Sequence, residues 1–573
     1  MLTAEQSAAA YSDAHDVVLV AGAGAGKTST FAEALVCSVR LEPDRPVLAV
    51  TFTRAAAREM AARARRIAGL GPAAPLNPDG PEPWIGTLHA WAWERVELNP
   101  TAFGRMPGVS LWDDGDVEDA VRMIARSIGE KVLKVKDIDK ARLSTLMARE
   151  QVAAELPRLL VEANALTFDG LELAVVAGLR RLAALDEGGV PAYQRVMVDE
   201  AQDLSPAQAT LLDLLPGRRF RVGDPRQAIY GFRGSDPTIM LGWLPSWTAM
   251  HLTANFRSLG AVVGTANALA AAMGQDWRPM VAAREGEGVV RAYRAPLPGL
   301  TALQIALDAH AAGRAWRDIY VIAPAWAEAE EARAALEGAG VPVVFGRPVN
   351  PWAEPAGRFV RRVLACLNNP ADDVLWSLVA SAMGGREDLG ALRAKARSER
   401  RRLSELLAEQ HAWARVLTTQ RHLRAKTAAT VLRSVLAAGA GPDVRHLLPV
   451  LEQWSAADAL RELALYQKIE EPAETPDAVR IGTIHGAKGL EAPVVVMLGA
   501  TASRFPVEGP DAAEGLRLLY VAVTRAADEL HIVAPVASQG FSGLEPEAPT
   551  AWLHTMGLSL ENAPVAVWGA HAR

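Results

Sequence analysis

Two stretches of this chain hold residues of the right type and spacing for phosphate chemistry. In the first, the apolar run Val17-Val18-Leu19-Val20 leads into Ala21-Gly22-Ala23-Gly24-Ala25-Gly26-Lys27-Thr28-Ser29. Alternating glycines let a backbone turn so that successive N–H groups converge on anionic oxygens. A helix opening near Lys27 would add its partly positive N-terminus. Lys27 is spaced for the β- and γ-phosphates of a nucleotide, and Thr28 for Mg²⁺. In the second stretch, the apolar residues 195–198 end in Asp199-Glu200. There Asp199 suits a magnesium ligand, and Glu200 suits a group that polarises an attacking water. Adjacent acids at a strand end are common on surfaces, and a glycine-rich turn is common too. Together they describe an ATP site with its Mg²⁺. One position departs from the usual phosphate-loop pattern: Ala21 stands where the opening glycine is expected.

The elements that must hold these residues alternate between strand and helix. Residues 46–54 read as a strand and loop followed by an alanine-rich helix over 55–68; residues 84–89 and 220–227 read as further strands with polar ends. Such alternation predicts an α/β fold with a parallel sheet and ligands at the carboxyl ends of its strands. Several of those ends carry a hydroxyl, a ring or a cation, which suits one nucleic-acid strand: phosphates meet Thr and Arg, and bases stack on rings. For any single ring, such as Phe52, core packing is the competing reading.

The chain has 573 residues, half of them apolar and 22% charged, which predicts three or four well-buried domains and excludes a disordered protein. Its net charge of −6 argues against a nonspecific polyanion binder but leaves room for a local basic groove. Cys37 and Cys366, the two cysteines, sit in apolar segments and read as core thiols of a reducing compartment. The first residues lack a basic-then-apolar leader pattern, and no apolar run is long enough to span a bilayer, so a cytoplasmic location without membrane partners is expected.

Nine segments, at residues 2–6, 21–28, 51–60, 86–89, 198–203, 222–234, 252–258, 479–491 and 518–526, resemble in order the signature motifs of superfamily 1 DNA helicases of the UvrD/Rep/PcrA type. The resemblance implies two RecA-like parallel-sheet motor domains, each with a mainly helical insertion. It also implies ATP-dependent movement on single-stranded DNA, 3′→5′, coupled to strand separation. By the same resemblance, Gln6 would read the adenine edge and Phe256 would stack on the adenine. Glu491 would meet the ribose, Gln227 would sense the γ-phosphate, and Arg257 and Arg525 would be arginine fingers that stabilise charge on the transferring phosphoryl group. DNA contacts would come from Phe52, Thr53, His89, Tyr230, Phe232, Arg233, Thr483, His485 and Phe505. Expected partners are single-stranded DNA and single–double strand junctions, with a nuclease or repair factor as a protein partner. Arg54-Ala55 stands where the family often has Asn-Lys.

The implied first core is residues 1–90 with 186–258, interrupted by a helical insertion over 91–185, where apolar residues recur at helical spacing through 117–124 and 143–160. The second core is 259–372 with 476–573, interrupted by an insertion over 373–475 that is shorter than expected for the family. That shortness opens an alternative: a strand-stimulated translocase that unwinds only with a partner subunit. An ATP-switched clamp with negligible turnover would need a broken catalytic set, whereas Lys27, Thr28, Asp199, Glu200, Gln227, Arg257 and Arg525 are all present. The second insertion also holds the densest basic run, Arg393 to Arg402 after Gly384-Gly385-Arg386. It reads equally as a grip on duplex phosphates or as a solvated helix face.

Overall fold

The computed structural model describes residues 2–127, 150–185, 189–274, 278–346, 350–385, 388–419, 421–464, 476–540 and 543–564. Part of the helical stretch expected over 143–160, and Arg386, lie outside these residues.

Two all-parallel sheets form the frame. The first has six strands in the order Trp84–Thr87, Val47–Thr51, Arg195–Val198, Arg218–Gly223, Asp16–Ala21, Thr248–Leu252. Val20 lies opposite Gly223, and Val50 opposite Val198. The carboxyl ends that carry Gly22, Asp199 and Asp224 therefore open along one edge. The second sheet has seven strands in the order Val343–Phe345, Val479–Thr483, Ile319–Ala323, Ala492–Met497, Ala526–Pro535, Val289–Ala295, Leu560–Asn562. Its central strands Ile319–Ala323 and Ala492–Met497 read as continuous apolar runs because both of their faces are covered. Along Ile319–Ala323, Ile319, Val321 and Ala323 enter one core, and Tyr320 and Ile322 enter the core on the opposite face, the two-residue alternation of a strand. The α/β fold with parallel sheets expected from the sequence is thus what the chain adopts.

The chain divides into two compact units. Met1–Thr87, Ala192–Arg347 and Glu470–Arg573 make the unit that holds both sheets. Leu88–Pro191 and Pro348–Ile469 make a mainly helical unit. Within the helical unit, residues of both expected insertions share one core: Trp112, Val121 and Ile124 belong to the same apolar cluster as Phe359, Val363, Trp376 and Leu432. Buried polar bonds cross this core. Trp112 Nε1 donates to Asp372 Oδ2 at 2.8 Å, and Asn369 Nδ2 donates to the Ala163 carbonyl at 2.8 Å. The fully buried Asp116 forms an ion pair with Arg361 Nη2 at 2.7 Å and accepts a hydrogen bond from Arg362 Nε at 2.9 Å.

Here the structure corrects the sequence reading, which gave all of 259–372 to the second core. Helix Pro355–Asn368 packs in the helical unit instead. Its apolar positions 359, 360, 363, 364 and 367 form a stripe at helical spacing that is completed by residues of the first insertion. Three residues of the basic run in the second insertion form ion pairs within the helical unit. Arg401 pairs with Glu399, Glu405 and Glu409; Arg397 pairs with Glu162, and Lys395 with Glu399. These pairs favour the solvated-face reading. Among the described residues, no helix is long and apolar enough to cross a membrane.

Candidate active site

The phosphate-loop residues turn as their types require. Gly24 and Gly26 adopt φ of 68° and 78°, the left-handed region open to glycine. Ala21 ends the strand Asp16–Ala21, pairs opposite Leu252 and has no positive φ, so its methyl group costs nothing at the position where glycine was expected. Helix Lys27–Leu41 starts directly after Gly26 with no side chain capping it. Its first N–H groups therefore remain available for an anion. Ala21, Ala23 and Ala25 are buried beneath the loop, and Ser29 Oγ accepts from Arg63 Nη1 at 2.7 Å.

Two flanking segments hold this loop. Gln6 closes a capping box with Thr3, and its Nε2 donates to the Ala25 carbonyl at 3.0 Å. One amide hydrogen of Gln6 is left for a base edge. From the other side, the Phe256 N–H donates to the Gly24 carbonyl at 2.9 Å, and Asn255 Nδ2 donates to the Ala23 carbonyl at 2.9 Å. Asn255 Oδ1 then accepts from the N–H groups of Arg257 (2.9 Å) and Ser258 (2.7 Å). Asn255 belongs to the segment 252–258 and directly precedes Phe256 and Arg257, but its residue type alone points to no role. Its burial at 2% exposure marks it as a structural clamp. The Phe256 ring is 46% exposed and presents a face on which a planar group could stack.

The acids and arginines form a continuous hydrogen-bonded chain. Gln202 Nε2 donates to Glu200 Oε2 (2.5 Å), and Gln202 Oε1 accepts from the Asp224 N–H (2.9 Å). Gln227 Nε2 donates to Asp224 Oδ2 (2.8 Å), and Gln227 Oε1 accepts from Arg525 Nη2 (3.3 Å). Arg525 is 1% exposed and is further held by the carbonyls of Val521 (2.9 Å) and Leu490 (3.1 Å). Burial, then the nearby Arg257 charge, lower its pKa to about 9, so it stays protonated at neutral pH. Arg257 is bonded to Glu491 and donates to the Thr524 carbonyl at 3.0 Å. Both expected arginine fingers thus lie with Glu491 and the last motif.

Asp199 and Glu200 are driven apart in pKa. Burial and then the Glu200 charge push Asp199 up to about 7. Burial also pushes Glu200 up, but Lys27, Lys488 and the Gln202 hydrogen bond outweigh it and hold Glu200 at about 2. Glu200 itself sits at φ 52°, ψ 40°, a left-handed conformation rare for glutamate and a mark of a constrained position. A buried carboxyl with a raised pKa at a strand end and a threonine hydroxyl in the first turn of the helix Lys27–Leu41 are oxygen donors of the kind a small hard cation takes. The residues therefore fit Mg²⁺ held by Asp199 and Thr28, and a cation there would bring Asp199 down.

The residues expected to meet DNA do not fall in one place. Tyr230, Phe232 and His485 form one cluster, with ring centroids 5.5–6.4 Å apart. The Arg233 guanidinium lies 5.4 Å and 5.6 Å from the Tyr230 and Phe232 rings, and Phe232 is 65% exposed. Phe52 and Thr53 follow the strand Val47–Thr51, where the Thr53 hydroxyl accepts from the Ala56 N–H at 3.1 Å and caps the next helix. Thr483 ends its own strand and accepts from the Gly486 N–H at 3.2 Å. His89 belongs to the helical unit, bonded to Glu172 at 3.0 Å and edge-on to Phe168. Phe505 is the exception. It has no exposed surface and shares the core of the second sheet with Leu516, Leu519 and Tyr520. Its ring is packing and not a strand-facing platform, because the backbone of 501–505 turns it inward under Thr550, whose hydroxyl bonds the Phe505 carbonyl at 2.8 Å.

Two domain models and several relatives match this chain. The model of the UvrD/REP helicase N-terminal domain matches residues 2–244, and that of the UvrD-like helicase C-terminal domain matches residues 429–536. The chain is 26% identical to the ATP-dependent DNA helicase UvrD1 of Mycobacterium tuberculosis, over 96% of this chain and 84% of the relative. It is 24% identical to the ATP-dependent DNA helicase PcrA of Bacillus subtilis, over 90% of this chain and 80% of the relative. A shorter match, 28% identical over 47% of this chain, covers 39% of UvrD1 of Mycobacterium leprae. With residues 2–244 and 429–536 matched by the two domain models and relatives aligned over 90–96% of its length, the chain belongs to the UvrD/Rep family of helicases, whose aligned members are ATP-dependent DNA helicases.

Proposed function

We propose that this protein is an ATP-driven motor that moves on single-stranded DNA, 3′→5′, and separates strands as it goes. The observation that carries this reading is the chain Glu200–Gln202–Asp224–Gln227–Arg525. It joins a carboxylate at the edge of one sheet to an arginine beside a strand of the other, next to a cluster of rings whose Phe232 is exposed. Direction rests on the family resemblance alone.

In this reading the loop 21–29 binds the triphosphate, Gln6 and Phe256 hold the base, and Glu491 holds the ribose. Thr28 and Asp199 would hold Mg²⁺, which supplies charge neutralisation on the phosphates when bound. Glu200, ionised by its surroundings, orients the water and takes its proton. Lys27, Arg257 and Arg525 offset the negative charge that builds on the transferring phosphoryl group. Nucleotide binding draws Gln227 and Arg525 onto the phosphate, and the same movement shifts the Tyr230–Phe232–His485 cluster along the bases. Base–aromatic stacking tolerates any sequence, which suits a motor.

The test is steady-state ATP hydrolysis with and without oligo(dT), alongside Glu200→Gln. Strong stimulation that the substitution abolishes is the expected result. Hydrolysis indifferent to DNA would refute the motor reading. Strand displacement on a 3′-tailed duplex against a 5′-tailed one then tests unwinding and direction. Translocation without displacement would favour a motor that unwinds only with a partner subunit.

A further inference from the structure

Lys488 stands where three parts of the motor site meet. Its ammonium is bonded to Asp203, donates to the Gln227 carbonyl at 2.8 Å, and lies 4.8 Å from the centroid of the Tyr230 ring. The side chain is only 8% exposed. Each neighbour belongs to a different function in the reading above. Asp203 closes the single turn that begins at Glu200, its N–H donating to the Glu200 carbonyl at 2.9 Å. Gln227 is the residue whose amide holds Arg525. Tyr230 is a member of the ring cluster that includes the exposed Phe232, and His485 of the same cluster lies three residues before Lys488 on one short loop.

Geometry makes this an unusual place for a lysine. A buried ammonium normally sits with one carboxylate, and its removal leaves that partner uncompensated. Lys488 divides its donors between a side chain, a main-chain carbonyl and a ring face. A compact charge on a flexible stem can shift its weight among such partners, which a planar guanidinium with fixed donors cannot do as readily. The other oxygen of Asp203, Oδ1, is buried without a hydrogen-bond partner. The Asp203 carboxylate thus leans on Lys488, and a movement of the loop carrying His485 is felt there and at the Gln227 main chain together.

We propose that Lys488 is a positioning residue that couples occupancy of the Tyr230–Phe232–His485 cluster by a single-stranded base to the placement of Gln227 and Glu200. This rests on the motor reading above. A strand on the rings would move Tyr230 and the 484–490 loop, and the ammonium would carry that displacement to the water-orienting and γ-phosphate-facing groups. Lys488 touches neither water nor phosphate in this role.

The experiment measures the ratio of ATP hydrolysis with oligo(dT) to hydrolysis without it, and oligo(dT) binding by fluorescence anisotropy. The proteins are the wild type, Lys488→Met, Lys488→Arg and the double variant Lys488→Met/Asp203→Asn. In the double variant the buried charge of Asp203 is removed with its partner, so a fold weakened by an unpaired carboxylate is relieved. Expected is loss of stimulation in Lys488→Met and in the double variant, with oligo(dT) still bound by both and partial stimulation returned by Lys488→Arg. Full stimulation in Lys488→Met overturns the inference. So does stimulation regained in the double variant, because the lysine would then merely neutralise Asp203. A wild-type chain that oligo(dT) fails to stimulate overturns the motor reading and this inference with it.

Discussion

Adding one methyl group to Gly24 tests whether the phosphate loop is clamped by the segment around Asn255. A Cβ at Gly24 would lie 2.6 Å from the Arg257 Cβ, 3.0 Å from Asn255 Oδ1 and 3.2 Å from the Arg257 nitrogen. None of these is the far end of a flexible side chain, so the loop or its clamp must move. The left-handed conformation alone costs an alanine about 1–2 kcal/mol. Separation also breaks the Phe256 N–Gly24 O and Asn255 Nδ2–Ala23 O bonds, each worth about 0.5–1.5 kcal/mol. A free loop relaxes, and nucleotide must then restore the turn, so the cost falls on binding. The sum of about 2–5 kcal/mol corresponds to a loss of roughly 30-fold to a few thousand-fold in affinity. Gly22→Ala is the comparison: its Cβ would meet Met280 Sδ at 2.6 Å, a thioether that can swing aside. Gly234, at φ 79° with open space around it, is the control for backbone strain alone. Isothermal titration with a non-hydrolysable ATP analogue should show Gly24→Ala far weaker than Gly22→Ala, and Gly234→Ala unchanged. Wild-type affinity in Gly24→Ala, or equal losses at Gly22 and Gly24, would refute the clamp.

The exposed Phe232 and the buried Phe505 should behave oppositely. Phe232→Ala should weaken oligo(dT) binding by about 1–3 kcal/mol with little change in melting, whereas Phe505→Ala should cost roughly 3–5 kcal/mol of stability in chemical denaturation. In the helical unit, Asp116→Ala leaves Arg361 and Arg362 buried without their shared carboxylate and should destabilise the fold by about 3–5 kcal/mol; a melt unchanged from wild type would mean that the pairs contribute nothing. Burial pushes Asp372 up to about 7, against the hydrogen bonds from Leu375, Trp112 and Ser110. The folded state therefore holds a proton that the unfolded chain has released above about pH 4. This contribution to stability is full below that pH and is lost as pH rises through about 7. Asp372→Asn, which cannot ionise, should remove that part of the pH dependence in urea unfolding followed from pH 5 to 8; identical slopes in both proteins would refute it.

Much of the backbone geometry at the candidate ATP site was legible in the sequence because it is local. The turn at Gly24 and Gly26, the helix start at Lys27, and the acids ending the strand Arg195–Val198 each depend on neighbours a few residues away. The parallel sheets were legible for a related reason: strands buried on both faces must be continuously apolar, and helices must return the chain between them. What the sequence could not decide is which way a side chain faces once segments far apart are packed. Phe232 and Phe505 are the same residue type in similar contexts, yet one is exposed beside His485 and the other is sealed into the core under Thr550. Helix Pro355–Asn368 announced its apolar stripe but not the partner that covers it, which comes from about 240 residues earlier at Trp112 and Val121. Asn255 and Lys488 carried no mark of their own beyond their motifs. Their roles arise where the phosphate loop, the acid turn and the last motif converge, and only the folded backbone brings those together. Local residue type determined the chemistry that this chain can do; burial and long-range pairing determined which of its rings and charges are placed to do it.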